Sequence, residues 1–135
     1  KLKTMKQESK AKYTVVSPQE LKGKKIYISG PMSGLTKKAY TRNFDRAAQR
    51  LRKRGMIPVN PARLPWARWD WLYRMLGYKT ALMLDIAVIA IWCDGVLMID
   101  GWDRSKGAKA EAAFAYAALD VYMLCDNVIL KHVIF

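Results

Sequence analysis

Cysteine and histidine are scarce in this 135-residue chain: Cys93, Cys125 and His132 are all it has. Two thiols exclude a disulfide framework and a four-thiolate zinc site, and a single imidazole excludes a Cys/His metal cluster. No bound metal is therefore expected. Acids are also few, with 11 Asp and Glu against 24 Lys and Arg, for a net charge of +13. A secretory signal is lacking at the N-terminus as given, which is basic without an apolar segment. The expected compartment is the cytoplasm.

An unbroken membrane-length run is missing as well. The nearest approach, ALMLDIAVIAIWCDGVLMI (81–99), is interrupted by Asp85 and Asp94. An ionised acid in mid-bilayer costs about 2.5–3.5 kcal/mol even on insertion scales. The run reads instead as a buried helix followed by a buried strand beginning near Gly95, and no membrane partner is expected.

What is present suits a folded domain, with 52% hydrophobic and 11% aromatic residues. The positive charge is concentrated. Residues 1–25 hold eight lysines against Glu8 and Glu20, and residues 37–54 hold eight basic residues against Asp45. Such segments fit nucleic acid, or a solvated surface facing a small anion; charge alone does not choose.

Residues 1–22 are polar and aperiodic and read as a flexible basic tail, leaving 23–135 as one domain. KKIYIS (24–29) reads as a strand ended by the turn GPMSG (30–34). Phe44, Ala47, Ala48 and Leu51 fall at helical spacing from about Thr41, with Arg42, Arg46 and Arg50 as the outer stripe and Gly55 as the stop. MIPVN (56–60) is a second strand. Residues 61–78 form a tryptophan-rich linker, read as dimer interface or core ahead of a lid over a bound base. A helix over about 79–92, strand GVLMI (95–99), the turn GWDRSKG, a helix from Ser105 to about Leu119 capped by Ser105, and strand VYMLC (121–125) follow. NVILKHVIF adds another strand or docks the C-terminus. This alternation predicts an α/β fold with a four- to five-stranded parallel sheet, and right-handed crossovers bring GPMSG and GWDRSKG together at its carboxyl edge, where such sheets bind ligands.

Two acids stand out in that frame. Glu111 has Gly107, Ala108, Phe114 and Ala115 as its helical neighbours, with no cation among them. It is either a helix acid near a positive N-terminus or a carboxylate facing the crevice. Asp85 lies in a helix apolar on every side, so it is paired, protonated or in a wet site. Asp94 reads as a turn or cap residue.

Taken together, IYISGPMSG, NF-x-x-AA-x-x-L, DI followed by CDGV, and GW-D-x-S-x-GA-x-x-E resemble the nucleoside 2-deoxyribosyltransferase-like superfamily over about residues 24–125. In particular they resemble a small bacterial and phage branch similar to 2-deoxynucleoside 5′-monophosphate N-glycosidases. The resemblance implies a flavodoxin-like three-layer sandwich that pairs as a homodimer and needs no cofactor. It implies cleavage of the N-glycosidic bond of a nucleoside or nucleotide, or the related transfer of 2-deoxyribose between bases. The catalytic roles fall on Glu111 as nucleophile, Asp85 as the acid assisting the leaving base and Tyr27 as orienter. Substrate would be bound by Gly30, Pro31, Met32, Ser33, Gly34, Trp102, Ser105 and Gly107. Ser105 occupies the position where the monophosphate hydrolases carry a phosphate-binding serine; Ser33 and Arg42 would add phosphate contacts. The competing expectation is a non-catalytic basic module that binds nucleotide or nucleic acid through residues 1–25 and the arginine stripe.

Overall fold

The computed structural model describes residues 13–32, 34–125 and 128–132. Its strands are β1 (Tyr13–Val15), β2 (Lys25–Ser29), β3 (Ile57–Val59), β4 (Gly95–Met98), β5 (Asp120–Cys125) and β6 (Val128–His132). They form one six-stranded sheet in the order β1-β6-β5-β4-β2-β3. Pairings β2–β3, β2–β4 and β4–β5 are parallel. The helices are α1 (Lys37–Lys53), α2 (Pro65–Arg68), α3 (Asp70–Leu76), α4 (Tyr78–Trp92) and α5 (Lys106–Ala118). The result is a three-layer α/β sandwich with a mostly parallel sheet.

Strand alternation divides the core. Ile26, Ile28, Leu97 and Tyr122 face α1, whose Phe44, Ala47, Ala48 and Leu51 supply the opposing stripe. Tyr27, Val96, Met98 and Val121 face the other way, against Ile89 of α4 and Ala112 and Ala115 of α5. The alanines of α5 let its backbone lie close to the sheet. Thr36 caps α1, its hydroxyl accepting from the Ala39 N–H at 3.1 Å, so this helix starts four residues before the expected Thr41. Asp94 is a cap in a different sense: its carboxylate accepts the Lys25 N–H at 2.9 Å, at the start of β2.

The structure also corrects the sequence reading in its larger features. The sheet is not wholly parallel, because β6 runs antiparallel to β5, and β1 runs antiparallel to β6. The chain reverses directly after β5, and a reversal without a crossover can only pair antiparallel. The second half of the expected tail is structured: Tyr13–Val15 is the edge strand β1, and a 3-10 turn at Pro18–Leu21 buries Leu21 beside Val16 in the α1-side core. Residues 1–12 lie outside the described residues. Finally, the apolar helix is not buried all round. In α4 only Ala81 and Ile89 are buried, while Met83, Ile91 and Trp92 are exposed.

The segment before α4 folds as two short helices rather than a linker. Gly77, at φ +83°, is in a conformation that side chains with a Cβ rarely adopt, and it joins α3 to α4 across a 104° bend. Among the described residues no single helix is long and apolar enough to cross a membrane; that bent pair passes only when its two helices are taken together.

Candidate functional site

β2 delivers two hydroxyls to one place. Tyr27 and Ser29 are two positions apart, so both point to the α5 side of the sheet. There the Tyr27 hydroxyl donates to Glu111 Oε2 at 2.7 Å, and the Ser29 hydroxyl donates to Glu111 Oε1 at 2.8 Å. Each carboxylate oxygen thus accepts one O–H, and Glu111 is only 6% exposed. The helical neighbours offer it nothing, as the sequence suggests; its partners come from a strand more than eighty residues away. Ser29 went unnoticed in the sequence, although its spacing from Tyr27 is the signal that finds it.

Asp85 of α4 lines the same cleft as Glu111. Its Oδ1 accepts the Trp66 indole N–H at 2.7 Å. Trp66 belongs to α2, in the segment read as interface or core, so the sequence did not connect it with this acid. Burial pushes Asp85 up to about 6, and the indole bond pulls the other way. Burial pushes Glu111 up to about 7; the Tyr27 bond opposes this, the Asp85 charge adds to it, and the Ser29 bond opposes it. Tyr27 is raised well above its ordinary value by burial first and then by the charges of Glu111 and Asp85, so it remains a proton donor.

The cleft sits at the carboxyl edge of β2 and β4. Gly30 and Met32 line it from the loop after β2, and Ser105 and Gly107 from the start of α5. A Cβ at Gly30 would collide with the Ile99 side chain, which is why this loop can lie so close to the end of β4. The Ser105 hydroxyl accepts from the Ala108 N–H at 3.2 Å as the N-cap of α5, leaving its own proton free to donate. Tyr73 and Tyr78 close the rim from α3 and α4. The space amounts to about 110 Å³, somewhat less than the ~150 Å³ cavity that accepts a benzene ring.

Other expected site residues lie apart from this cleft's walls. Trp102 packs against the core on the Tyr27 side of the sheet. Pro31 meets Gly101, and Gly34 is an exposed turn residue. Arg42 lines a separate depression of about 420 Å³ with Lys37 and Lys38. Ser33 lies outside the described residues. A larger depression, about 540 Å³, is lined by Arg46, Arg50 and the exposed Asp100 on the α1 side; one carboxylate there offers no acid pair, so it cannot match the chemistry available at Glu111 and Asp85. Among the described residues no group of three or more His, Cys, Asp or Glu is placed to hold a metal ion.

Among known proteins, the sequence profile of a family described as "Domain of unknown function (DUF4406)" matches residues 24–123. No curated protein and no solved structure matches the chain.

Proposed function

The chain belongs to the DUF4406 family, and we propose that it is an N-glycosidase of (deoxy)nucleoside 5′-monophosphates, or transfers 2-deoxyribose between bases by the same chemistry. The observation that carries this reading is the pairing of the buried Glu111 carboxyl with the half-buried Asp85 carboxyl in one cleft under unequal donors. Glu111 accepts two hydroxyl bonds, whereas Asp85 accepts one and keeps an oxygen for a proton. Burial still raises Glu111 to about 7 and Asp85 only to about 6, so the reactive state, with Glu111 ionised and the proton on Asp85, is one that the bound base must favour. The resemblance to the nucleoside 2-deoxyribosyltransferase-like superfamily supports the same assignment.

In the proposed reaction Glu111 attacks C1′ of the sugar. The C1′–N bond breaks with its electron pair going to the base, and Asp85 protonates that base. Water, deprotonated by the Asp85 carboxylate, then attacks C1′ and releases Glu111; a second base in place of water gives transfer instead. The oxocarbenium character at C1′ is stabilised by the nearby carboxylate. The 5′-phosphate would lie at the start of α5, taking the Ser105 O–H and the positive end of the helix. At about 110 Å³ the space is smaller than a nucleotide needs, so seating one requires Tyr73 and Tyr78 to turn outward. The exposed Trp71, Met75, Met83, Ile91 and Trp92 on α3 and α4 support pairing of two copies through that face.

The test is base release, followed by chromatography, from a panel of nucleosides and their 5′-monophosphates, with Glu111→Ala alongside. Release from monophosphates alone, lost in the variant, supports the hydrolase. Release only when a second base is supplied supports transfer. No release from any substrate overturns both.

One observation favours a second reading, a module that binds nucleic acid without catalysis. Lys38, Arg42, Arg46 and Arg50 recur every four residues on the exposed side of α1, and the helix's one acid, Asp45, is engaged by Arg63 at 2.7 Å and Asn60 at 2.9 Å. Like charges at this spacing destabilise a helix by about 0.2–0.5 kcal/mol per pair, a cost that a phosphate backbone would relieve. Binding of labelled duplex DNA across a salt series tests it: replacing Arg42, Arg46 and Arg50 by Gln should flatten the log–log slope by about 3.

A further inference from the structure

Trp66 comes from a helix that buries none of its four residues, and its own side chain is half-buried. Core packing therefore does not account for its orientation. Its best-defined contact is polar, the 2.7 Å bond from the indole N–H to Asp85 Oδ1. The backbone that carries it is tied down from outside: Lys37 at the start of α1 donates to the Arg68 carbonyl at 2.9 Å and to Asp70 at 3.2 Å. Both ends of the Trp66–Asp85 bridge are thereby set by the fold, one through α2 and one through α4.

An indole N–H donates and cannot accept. Oδ1 is thus committed as an acceptor in either protonation state, and a proton on Asp85 must sit on Oδ2. Among the described residues no other hydrogen bond reaches this carboxyl, so Oδ2 is the oxygen left to the cleft. The titratable groups sharing that cleft are Glu111 from α5, Tyr27 from β2, Tyr73 from α3 and Tyr78 from α4; no lysine or arginine lines it. A free carboxyl would present its proton from either oxygen. Here one partner chooses.

We propose that Trp66 is a positioning residue that pins Oδ1 of Asp85 and so directs the Oδ2 proton at the leaving base. This role rests on the N-glycosidase reading given above. When the C1′–N bond breaks, the base nitrogen takes the Oδ2 proton, and the carboxylate that remains keeps the indole bond on its other oxygen.

The test is the pH profile of base release from a nucleoside 5′-monophosphate by wild type, Trp66→Phe and Trp66→Gln, together with a carboxyl NMR titration of Asp85. Trp66→Phe keeps a ring but has no donor. It should lower kcat by about tenfold to a hundredfold with KM little changed, move the Asp85 titration to higher pH, and carry the alkaline limb of the profile with it. Trp66→Gln places an N–H the same number of bonds from Cα and should recover much of the rate and the wild-type limb. If Trp66→Phe fails to fold, the Gln variant decides: a wild-type profile supports the role, and loss of rate with the Asp85 titration unmoved overturns it. A Trp66→Phe enzyme with unchanged kcat and limb, or with only KM raised, overturns the role while leaving the N-glycosidase intact. Absence of release by the wild type overturns the reading itself, and this role falls with it.

Discussion

Replacing Glu111 by Gln should stabilise the protein, and only above mildly acidic pH. The ordinary value for this carboxyl is 4.5, and burial lifts it to about 7 in the fold. Between those values the folded chain holds a proton that the unfolded chain has already released, so stability falls as pH rises through the window. Above it the full cost remains, about 3 kcal/mol for a separation of this size. Gln has the same shape without the charge. Its carbonyl can accept from one hydroxyl, and its amide can donate to the other, because Tyr27 and Ser29 can each reverse. At pH 4 the variant and the wild type should therefore melt together. At pH 8 the variant should gain up to about 3 kcal/mol, or about 10 °C in Tm for a domain of this size. Urea melts followed by circular dichroism at pH 4, 6 and 8 give the comparison directly. A stability difference that does not change with pH would refute the reasoning, because it would mean that the buried carboxylate is not penalised relative to the unfolded chain. The same variant is expected to be inactive, so that stability and function part company at one atom.

Tyr27→Phe should lower kcat for base release by about 10- to 100-fold, and, with one donor gone, Glu111 should titrate higher, moving the acidic limb of the pH profile upward. Ser105→Ala should cost about 1 kcal/mol through the lost cap, visible in a melt, and should raise KM for monophosphates while leaving that for nucleosides nearly unchanged. Met83→Asp and Ile91→Asp place charges on the exposed face of α4. Light scattering after size exclusion should show two-copy particles for the wild type and single chains for the variants, and single chains in every sample would remove the paired assembly from the reading.

The alternation of strands and helices was legible because the core uses strong local patterns: the β-branched run at β2, the i, i+3, i+4, i+7 stripe in α1, and the glycine and serine before α5. The meeting of Tyr27, Asp85 and Glu111 was implied only by the family resemblance, since each lies on a different element and no local pattern links them. Ser29 and Trp66 were missed for related reasons. Ser29 looks like the last residue of a strand, and its role depends on which face of β2 lies under α5. Trp66 is one of three tryptophans in a short segment, and only the break between α2 and α3 singles out its indole for Asp85. β1 escaped notice because three residues carry too little pattern to be read against a lysine-rich background; pairing to β6, not propensity, makes it a strand. The exposed side of α4 could not be distinguished from a buried one, because its residues are apolar whichever way they face.

The edge formed by β1 has a consequence for how the chain acquires its shape. Tyr13 pairs with His132 and Val15 with Leu130, and the Val16 N–H donates to the Ile129 carbonyl at 3.0 Å. β1 therefore waits for β6, and during synthesis the segment carrying Val16 and Leu21 has to emerge with its docking strand still untranslated. Contacts of such long sequence separation form late and slow the overall rate. The parallel strands around β2 and β4 can assemble earlier, with β1 and the turn behind it closing over one edge as a final latch. A chain cut before residue 128 would leave that latch open, with Glu111 and its partners on β2 all still present in it.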